Sequence, residues 1–202
     1  GEEILRGAID LLQRVADFKS SALQEERLGD LEFACTYSFT IAVLPSYLKR
    51  FRDEYPQVKI HFELGKNWEI HQMLKAGRID FGIVPDEGDL EGFEKRDIYR
   101  GDFKLYASRK MPLLKRSPPG LILAPSRRKE TALAKQMVKE AYLKRFGKEA
   151  AVIMEEGSWE MIVNLVAEGV GIGYFPEFCG KLQSQDIKEC RVEAQIHSYQ
   201  IK

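Results

Sequence analysis

Apolar residues in the first 28 positions recur in steps of four and three: Ile4, Ala8, Leu11, Val15, Phe18 and Ala22. That spacing is the a/d seam of a helix whose apolar stripe faces another helix. The stripe fits a helix packed on its own domain or one packed against a second chain. The charged residues at 24–27 and Gly29 separate it from the next element and favour the second. The period then changes. Residues 31–35 form a short apolar run, read as a strand. Leu44, Tyr47, Leu48, Phe51 and Tyr55 mark one helical face that Pro56 ends. Val58, Ile60, Phe62 and Leu64 alternate as a strand, and Gly65-Lys66-Asn67 turns the chain. Asn67 is the expected N-cap of a helix bearing Ile70, Met73 and Leu74 and ending at Gly77, and 79–84 is a buried strand.

The same passage then repeats. A strand at 121–124 ends at Pro125-Ser126, and Leu133, Met137, Ala141 and Tyr142 give a helix that stops before Gly147. A strand follows at 151–154. Ser158 caps a helix bearing Ile162, Leu165 and Val166, which Gly169 ends, and 171–175 is a strand. Thirty-one residues separate Thr36 from Asn67 and 32 separate Ser126 from Ser158; the next interval is 17 in both copies, from Asn67 to Val84 and from Ser158 to Phe175. Neither Asn67 nor Ser158 has Glu or Gln three residues on, so both are expected to be simple caps. A strand at 103–107 connects the copies, Ser117-Pro118-Pro119-Gly120 is a loop, and 190–202 reads as a strand pair returning to the first copy. The expected organisation is a linker or dimerisation helix at 1–28, a first lobe at 29–100 with the return at 190–202, and a second lobe at 101–189. Open α/β lobes bind ligands just beyond the carboxyl ends of their strands, so two such lobes describe a ligand clamp.

Composition narrows the class. Thirty-one basic residues balance 31 acidic ones in 202 residues, which argues against this stretch gripping nucleic acid by itself. No apolar run is long enough to span a membrane, and no secretory leader is visible after Gly1-Glu2-Glu3. Cys35, Cys179 and Cys190 form neither a CxxC nor an even-numbered framework, which fits a reducing, cytoplasmic setting.

Three stretches go beyond generic α/β. Leu44-Pro45 with Phe51-Arg52 and Tyr55-Pro56, the passage from Leu74 through Gly77, Ile79 and Asp80 to Ile83, and Ser158 with Val166, Gly169, Gly171, Ile172 and Pro176 resemble the effector-binding region of the LysR-type transcriptional regulators. The heptad helix ahead of the first strand adds to the resemblance. It implies a type 2 periplasmic-binding-protein-like fold of two Rossmann-like lobes joined to a linker helix. It also implies a ligand-sensing module that pairs as a homodimer, or a homotetramer in the full-length protein. That family's winged helix-turn-helix and its usual C-terminal continuation have no counterpart in this sequence, so operator DNA is expected to be contacted only through a missing N-terminal domain. A solute-binding protein of a transport system shares the lobes but has no use for the heptad helix. An enzyme on the same scaffold is disfavoured, because no nucleophile–base set, phosphate loop or paired carboxylate motif stands out. No cofactor is expected.

The candidate effector residues follow the strands: Thr36, Ser38, Asn67 and Val84 in the first lobe, and Ser126, Arg127, Glu156 and Ser158 in the second. The resemblance implies effector contact at Thr36, Ser38, Asn67 and Ser126. Hydroxyls and free amides at helix starts favour an anion, although each such residue also fits a plain cap. Arg127 is the candidate counter-ion and equally a solvated loop residue, while Glu156 facing the same cleft makes a zwitterion conceivable. Trp68 and Trp159 either stack on a ligand or cover a core edge. His61, His71 and His197 lack metal-ligand spacing, and His71 is expected to be exposed. The cysteines read as inert thiols, with a redox pair at Cys179 and Cys190 as the alternative.

Overall fold

A computed structural model of the chain describes residues 30–86, 91–112, 117–125, 129–191 and 198–202. The seam residues Ile4, Ala8, Leu11, Val15 and Phe18, the loop residues Ser126, Arg127 and Arg128, and His197 lie outside them. The chain divides into two compact units, changing from unit 1 to unit 2 between Arg100 and Gly101 and back between Tyr199 and Gln200.

Unit 1 contains a three-stranded parallel sheet in the order β2-β1-β3, with β1 at Leu31–Cys35, β2 at Ile60–Leu64 and β3 at Phe81–Ile83. Two helices, α1 at Tyr37–Ala42 and α2 at Leu44–Glu54, fill the β1–β2 crossover. The predicted helix is α2; α1 ahead of it was not anticipated, and the two are parted at Val43, with Pro45 in the first turn of α2, where its missing N–H is no loss. Leu44, Tyr47 and Phe51 are buried as the 3.6-residue period requires. On one sheet face Phe33 stacks on both Phe62 and Phe81, with centroids 5.6 and 5.0 Å away. The other face packs Ala34 and Val84 against Ile70 of α3, Asn67–Lys75.

The start of α3 corrects the expected cap. Lys66, not Asn67, is the N-cap, with extended backbone. An ammonium has no lone pair to accept an amide, so the side-chain half of the cap comes from Glu69, whose Oε2 accepts from Lys66 N–H at 2.7 Å. Asn67 instead donates from Nδ2 to the Pro85 carbonyl at 3.1 Å, tying α3 to the end of β3. Ser158 caps as expected: its Oγ accepts from Met161 N–H at 3.2 Å.

Unit 2 is built on the sheet β6-β5-β7-β4-β8, with β4 at Tyr99–Ser108, β5 at Leu121–Leu123, β6 at Val152–Glu155, β7 at Ile172–Pro176 and β8 at Ile187–Glu189. β5, β6 and β7 are parallel, and β4 runs antiparallel to β7 and β8. The helix α4, Lys129–Phe146, buries Val138, Ala141, Tyr142 and Phe146 against Leu105, Leu121 and Tyr174. On the opposite face lies α5, Trp159–Ala167, with Ile162, Val163 and Val166 buried. A 3₁₀ helix at Glu177–Gln183, not anticipated from the sequence, follows β7. The last strand, β9 at Ser198–Ile201, pairs with β4.

The repeat extends to how the helices end. Gly77 after α3 and Gly169 after α5 both have positive φ, 64° and 81°. In each case the glycine N–H bonds two residues inside the cap (Leu74, Val166) and the next N–H one residue deeper (Met73, Leu165), all at 3.0 Å. This double bond satisfies carbonyls the helix leaves free, and only a residue tolerant of left-handed backbone closes it cheaply.

Candidate functional site

In unit 1 the carboxyl ends of β1, β2 and β3 lie side by side, and each leads into a candidate segment. β1 ends at Cys35 and Thr36 starts α1 with extended backbone, φ −69° and ψ 143°. The Thr36 carbonyl accepts from Thr40 N–H and from Thr40 Oγ1, both at 3.0 Å, while its hydroxyl makes no capping bond. The amides of Tyr37 and Ser38 precede the first intrahelical donor, Thr40 N–H. β2 leads through Lys66 into α3, and β3 ends beside Val84, which exchanges two backbone bonds with Lys202. The structure thus brings Thr36, Ser38, Asn67 and Val84 to one sheet edge, with the Asn67 amide group engaged by Pro85.

In unit 2 the corresponding edge is already furnished with acids. Glu156 accepts from Ser158 N–H at 3.1 Å, and Glu160 Oε2 accepts from Ser158 Oγ at 2.7 Å. At the start of α5 the cap residue Ser158 is thus engaged by two of the chain's own carboxylates. Trp159 meets Phe103 edge-on at 5.5 Å, and Phe103 lies 5.2 Å from Tyr174, whose hydroxyl is buried without a hydrogen-bond partner. Sequence reasoning passed over Tyr174 and Phe103; the polarity of a phenol inside an otherwise apolar strand is the signal that could have found the first. Trp68 is exposed.

Other candidates sort differently. His71, expected to be exposed, is buried, 5.5 Å from the Phe93 ring, and its Nε2 has no partner. His61 is exposed and lies 3.4 Å from Asp30. An open depression of about 790 Å³ lined by Glu32, His61 and Arg78 lies toward the amino-terminal half of the unit 1 strands, on the wrong end of the sheet for the expected chemistry. Among the described residues no group of three His, Cys, Asp or Glu is arranged to hold a metal, and no helix is long and apolar enough to cross a membrane.

All three thiols are buried. Burial pushes Cys35 up to about 12 and Cys190 up to about 11. It also raises Cys179, with the charge of Glu160 adding to the effect. The thiolate is the reactive form, so native protein at pH 8 is expected to resist iodoacetamide at all three positions and to react at all three in denaturant, read by mass spectrometry. The sign of the linked stability follows. Unfolded thiols release protons near pH 9 while folded ones keep them, so stability falls as pH rises from about 9 toward 11.

The LysR substrate binding domain model matches residues 24–201. The chain is 28% identical over 189 residues to the uncharacterized HTH-type transcriptional regulator YraN of Bacillus subtilis, covering 92% of this chain and 63% of that protein. It thus spans less than two thirds of that relative's length. Among solved structures it is similar to the regulatory domain of OxyR2 E204G from Vibrio vulnificus (TM-score 0.64, 21% identity, 86% of each chain). It is also similar to the bromide-bound regulatory domain of HypT from Salmonella typhimurium (TM-score 0.66, 14% identity, 89% of this chain and 86% of that one). Structures this distant speak for the fold: two Rossmann-like α/β lobes of the periplasmic-binding-protein type. The family match favours the regulator over the transport protein as the owner of that fold. The chain belongs to the LysR substrate-binding domain family, the effector-binding part of LysR-type transcriptional regulators.

Proposed function

We propose that this chain senses a small anionic effector at the carboxyl edge of unit 1, through Thr36 and Ser38, with Asn67 and Val84 beside them. The observation that carries this reading is the Thr36 hydroxyl, not used as a cap, directly after a buried parallel strand whose carboxyl end lies beside those of β2 and β3. Ser126 and Arg127, expected from the sequence as a further contact and the counter-ion, lie outside the described residues. The domain acts by binding and not by catalysis, in the cytoplasm, and effector binding biases a conformational equilibrium that a DNA-binding domain reads out. A thermal-shift screen of small carboxylates tests it. A true effector at a hundred times its Kd stabilises the native state by about 2.7 kcal/mol, whereas a flat response across mono- and dicarboxylates to millimolar concentration counts against an anion sensor.

Self-association belongs to the same proposal. β2 and β6 are the edge strands of their sheets and occupy equivalent places in the two units. Both expose apolar side chains, Phe62 and Leu64 on one and Val152, Ile153 and Met154 on the other. Bare apolar edges invite pairing, and we assign a second copy of this chain to them, with the seam Ile4, Ala8, Leu11, Val15 and Phe18 adding a helix contact. Leu64→Lys combined with Ile153→Lys is expected to yield monomers with unchanged circular dichroism. Wild-type protein that sediments as a monomer at tens of micromolar (about the range where weak interfaces show themselves) overturns the assignment.

A further inference from the structure

We infer that the anion sensed at unit 1 is an aromatic carboxylate, its charge met by Lys66 and its ring lying against Tyr37 and Trp68. The inference deepens the effector-binding reading and rests on it, and all of its residues belong to unit 1.

β1 and β2 are parallel neighbours in register, with Cys35 beside Leu64, and Gly65 N–H donates to Cys35 O at 3.2 Å. Paired strands lie about 4.8 Å apart, so the segments that begin at Thr36 and at Lys66 leave one sheet edge side by side. Tyr37 directly follows Thr36, and Lys66 and Trp68 flank Asn67. Each of the three is therefore a chain neighbour of a candidate effector contact, about 3.8 Å away between Cα atoms.

The two rings are bare. Trp68 is 61% and Tyr37 52% exposed, whereas Phe33, Phe39, Tyr47 and Phe51 of the same unit are at most 4% exposed. Among the described residues neither side chain meets another ring or makes a hydrogen bond. Trp159, the chain's other tryptophan, does meet a ring, that of Phe103. Ligand sites are lined mainly by apolar and aromatic side chains, with a few polar groups that fix orientation, and Tyr and Trp supply both kinds of surface.

The charge at this edge is positive and unmatched. Lys66 is exposed and, among the described residues, makes no ion pair. It also occupies the N-cap of α3, where Ser, Thr, Asn or Asp is the ordinary choice and where the helix dipole opposes a cation. The nearby Glu69 carboxylate accepts from the Lys66 backbone N–H. A local rule broken without a structural gain is the mark of a functional position, and an anion beside Lys66 offsets the repulsion. An aliphatic acid would leave both rings in water, and an uncharged arene would leave Lys66 unmatched. A flat ring bearing a carboxylate satisfies all three side chains.

Benzoate and naphthoate test this, with benzyl alcohol as the uncharged match and cyclohexanecarboxylate as the acid without an aromatic face. Benzoate is expected to bind at millimolar concentration or below and to change Trp68 emission on a Trp159→Phe background. In calorimetry, naphthoate affinity is expected to fall about tenfold in Trp68→Ala and about tenfold in Lys66→Met. Both side chains are exposed, so the melting temperatures without ligand are expected to hold. Benzyl alcohol is expected to bind at least tenfold more weakly than benzoate, and to lose most of that disadvantage in Lys66→Met. An absent Trp68 response to benzoate overturns the inference. Naphthoate affinity unchanged in Trp68→Ala does so as well, because the ring would then lie on apolar surface elsewhere. Binding that needs Trp68 but ignores Lys66→Met overturns it too, as an arene held without its charge. Cyclohexanecarboxylate that binds as tightly as benzoate, in a Thr36-dependent way, would sink the aromatic class and leave the anion reading standing.

Discussion

Gly171→Val is expected to leave unit 2 without a cooperative fold. A Cβ at this position would stand 2.7 Å from the Gly120 carbonyl oxygen, with Ile153 Cδ1 at 3.1 Å and Ile122 Cγ1 at 3.2 Å. The first of these is backbone and cannot turn aside. It is also the acceptor of Ile172 N–H at 2.9 Å, the bond that starts the β5–β7 pairing. Separating the strands to admit a valine therefore breaks the ladder in the middle of the sheet and opens the core of Leu121, Ile172 and Tyr142. Overpacking alone costs about 1–3 kcal/mol, and a lost ladder with its unpaired buried groups adds to that, against a total stability of roughly 5–15 kcal/mol. The measurement is urea denaturation followed by tryptophan fluorescence on a Trp68→Phe background, which leaves Trp159 of this unit as the reporter. Gly157→Ala is the control: nothing lies within 4 Å of its Cβ, so its midpoint is expected to stay within about 0.5 kcal/mol of wild type. A Gly171→Val protein with an undisturbed transition would mean that β5 and β7 do not approach as described.

What was legible in the sequence was periodicity. Alternation at Val58, Ile60, Phe62 and Leu64 located β2, yet Phe62 and Leu64 are exposed, because alternation reveals which residues share a face and not what covers it. The helix α1 was not anticipated: it has six residues, fewer than two turns, too short to show a period of its own. The cap of α3 was misplaced by one residue because Asn67 has the right chemistry for capping, while the actual solution uses Lys66 backbone and a Glu69 carboxylate. The 3₁₀ helix at Glu177–Gln183 buries Phe178 and Cys179, adjacent residues that no helical period connects. His71 was read as exposed since its burial depends on Phe93, 22 positions away in a segment with no pattern of its own. The candidate site was legible in outline, because strand ends follow from strand positions. Which polar groups remained unspent was not, since Thr36 and Asn67 look alike as potential caps and differ only in what their neighbours already supply.

Thr36→Val is expected to weaken effector binding roughly ten- to a hundredfold while leaving the unliganded fold intact. Valine keeps the β-branched shape and suits the extended backbone that Thr36 already has. The structural bonds at this position are made by the backbone: the Thr36 N–H donates to Ile83 O at 3.1 Å and its carbonyl accepts twice from Thr40. The hydroxyl takes no part in the cap, so its removal costs the apo protein little and the melting temperature without ligand should hold. A bound anion loses one charge-assisted hydrogen bond, worth about 1.5–3 kcal/mol, which converts to that fold-change in Kd. Ser38→Ala is expected to act in the same direction and more weakly, since an anion at the start of α1 still has the Ser38 amide. Calorimetry with the effector found by the carboxylate screen decides the matter. Unchanged affinity in both Thr36→Val and Arg127→Ala would mean that the start of α1 merely follows a strand and that the anion is held elsewhere.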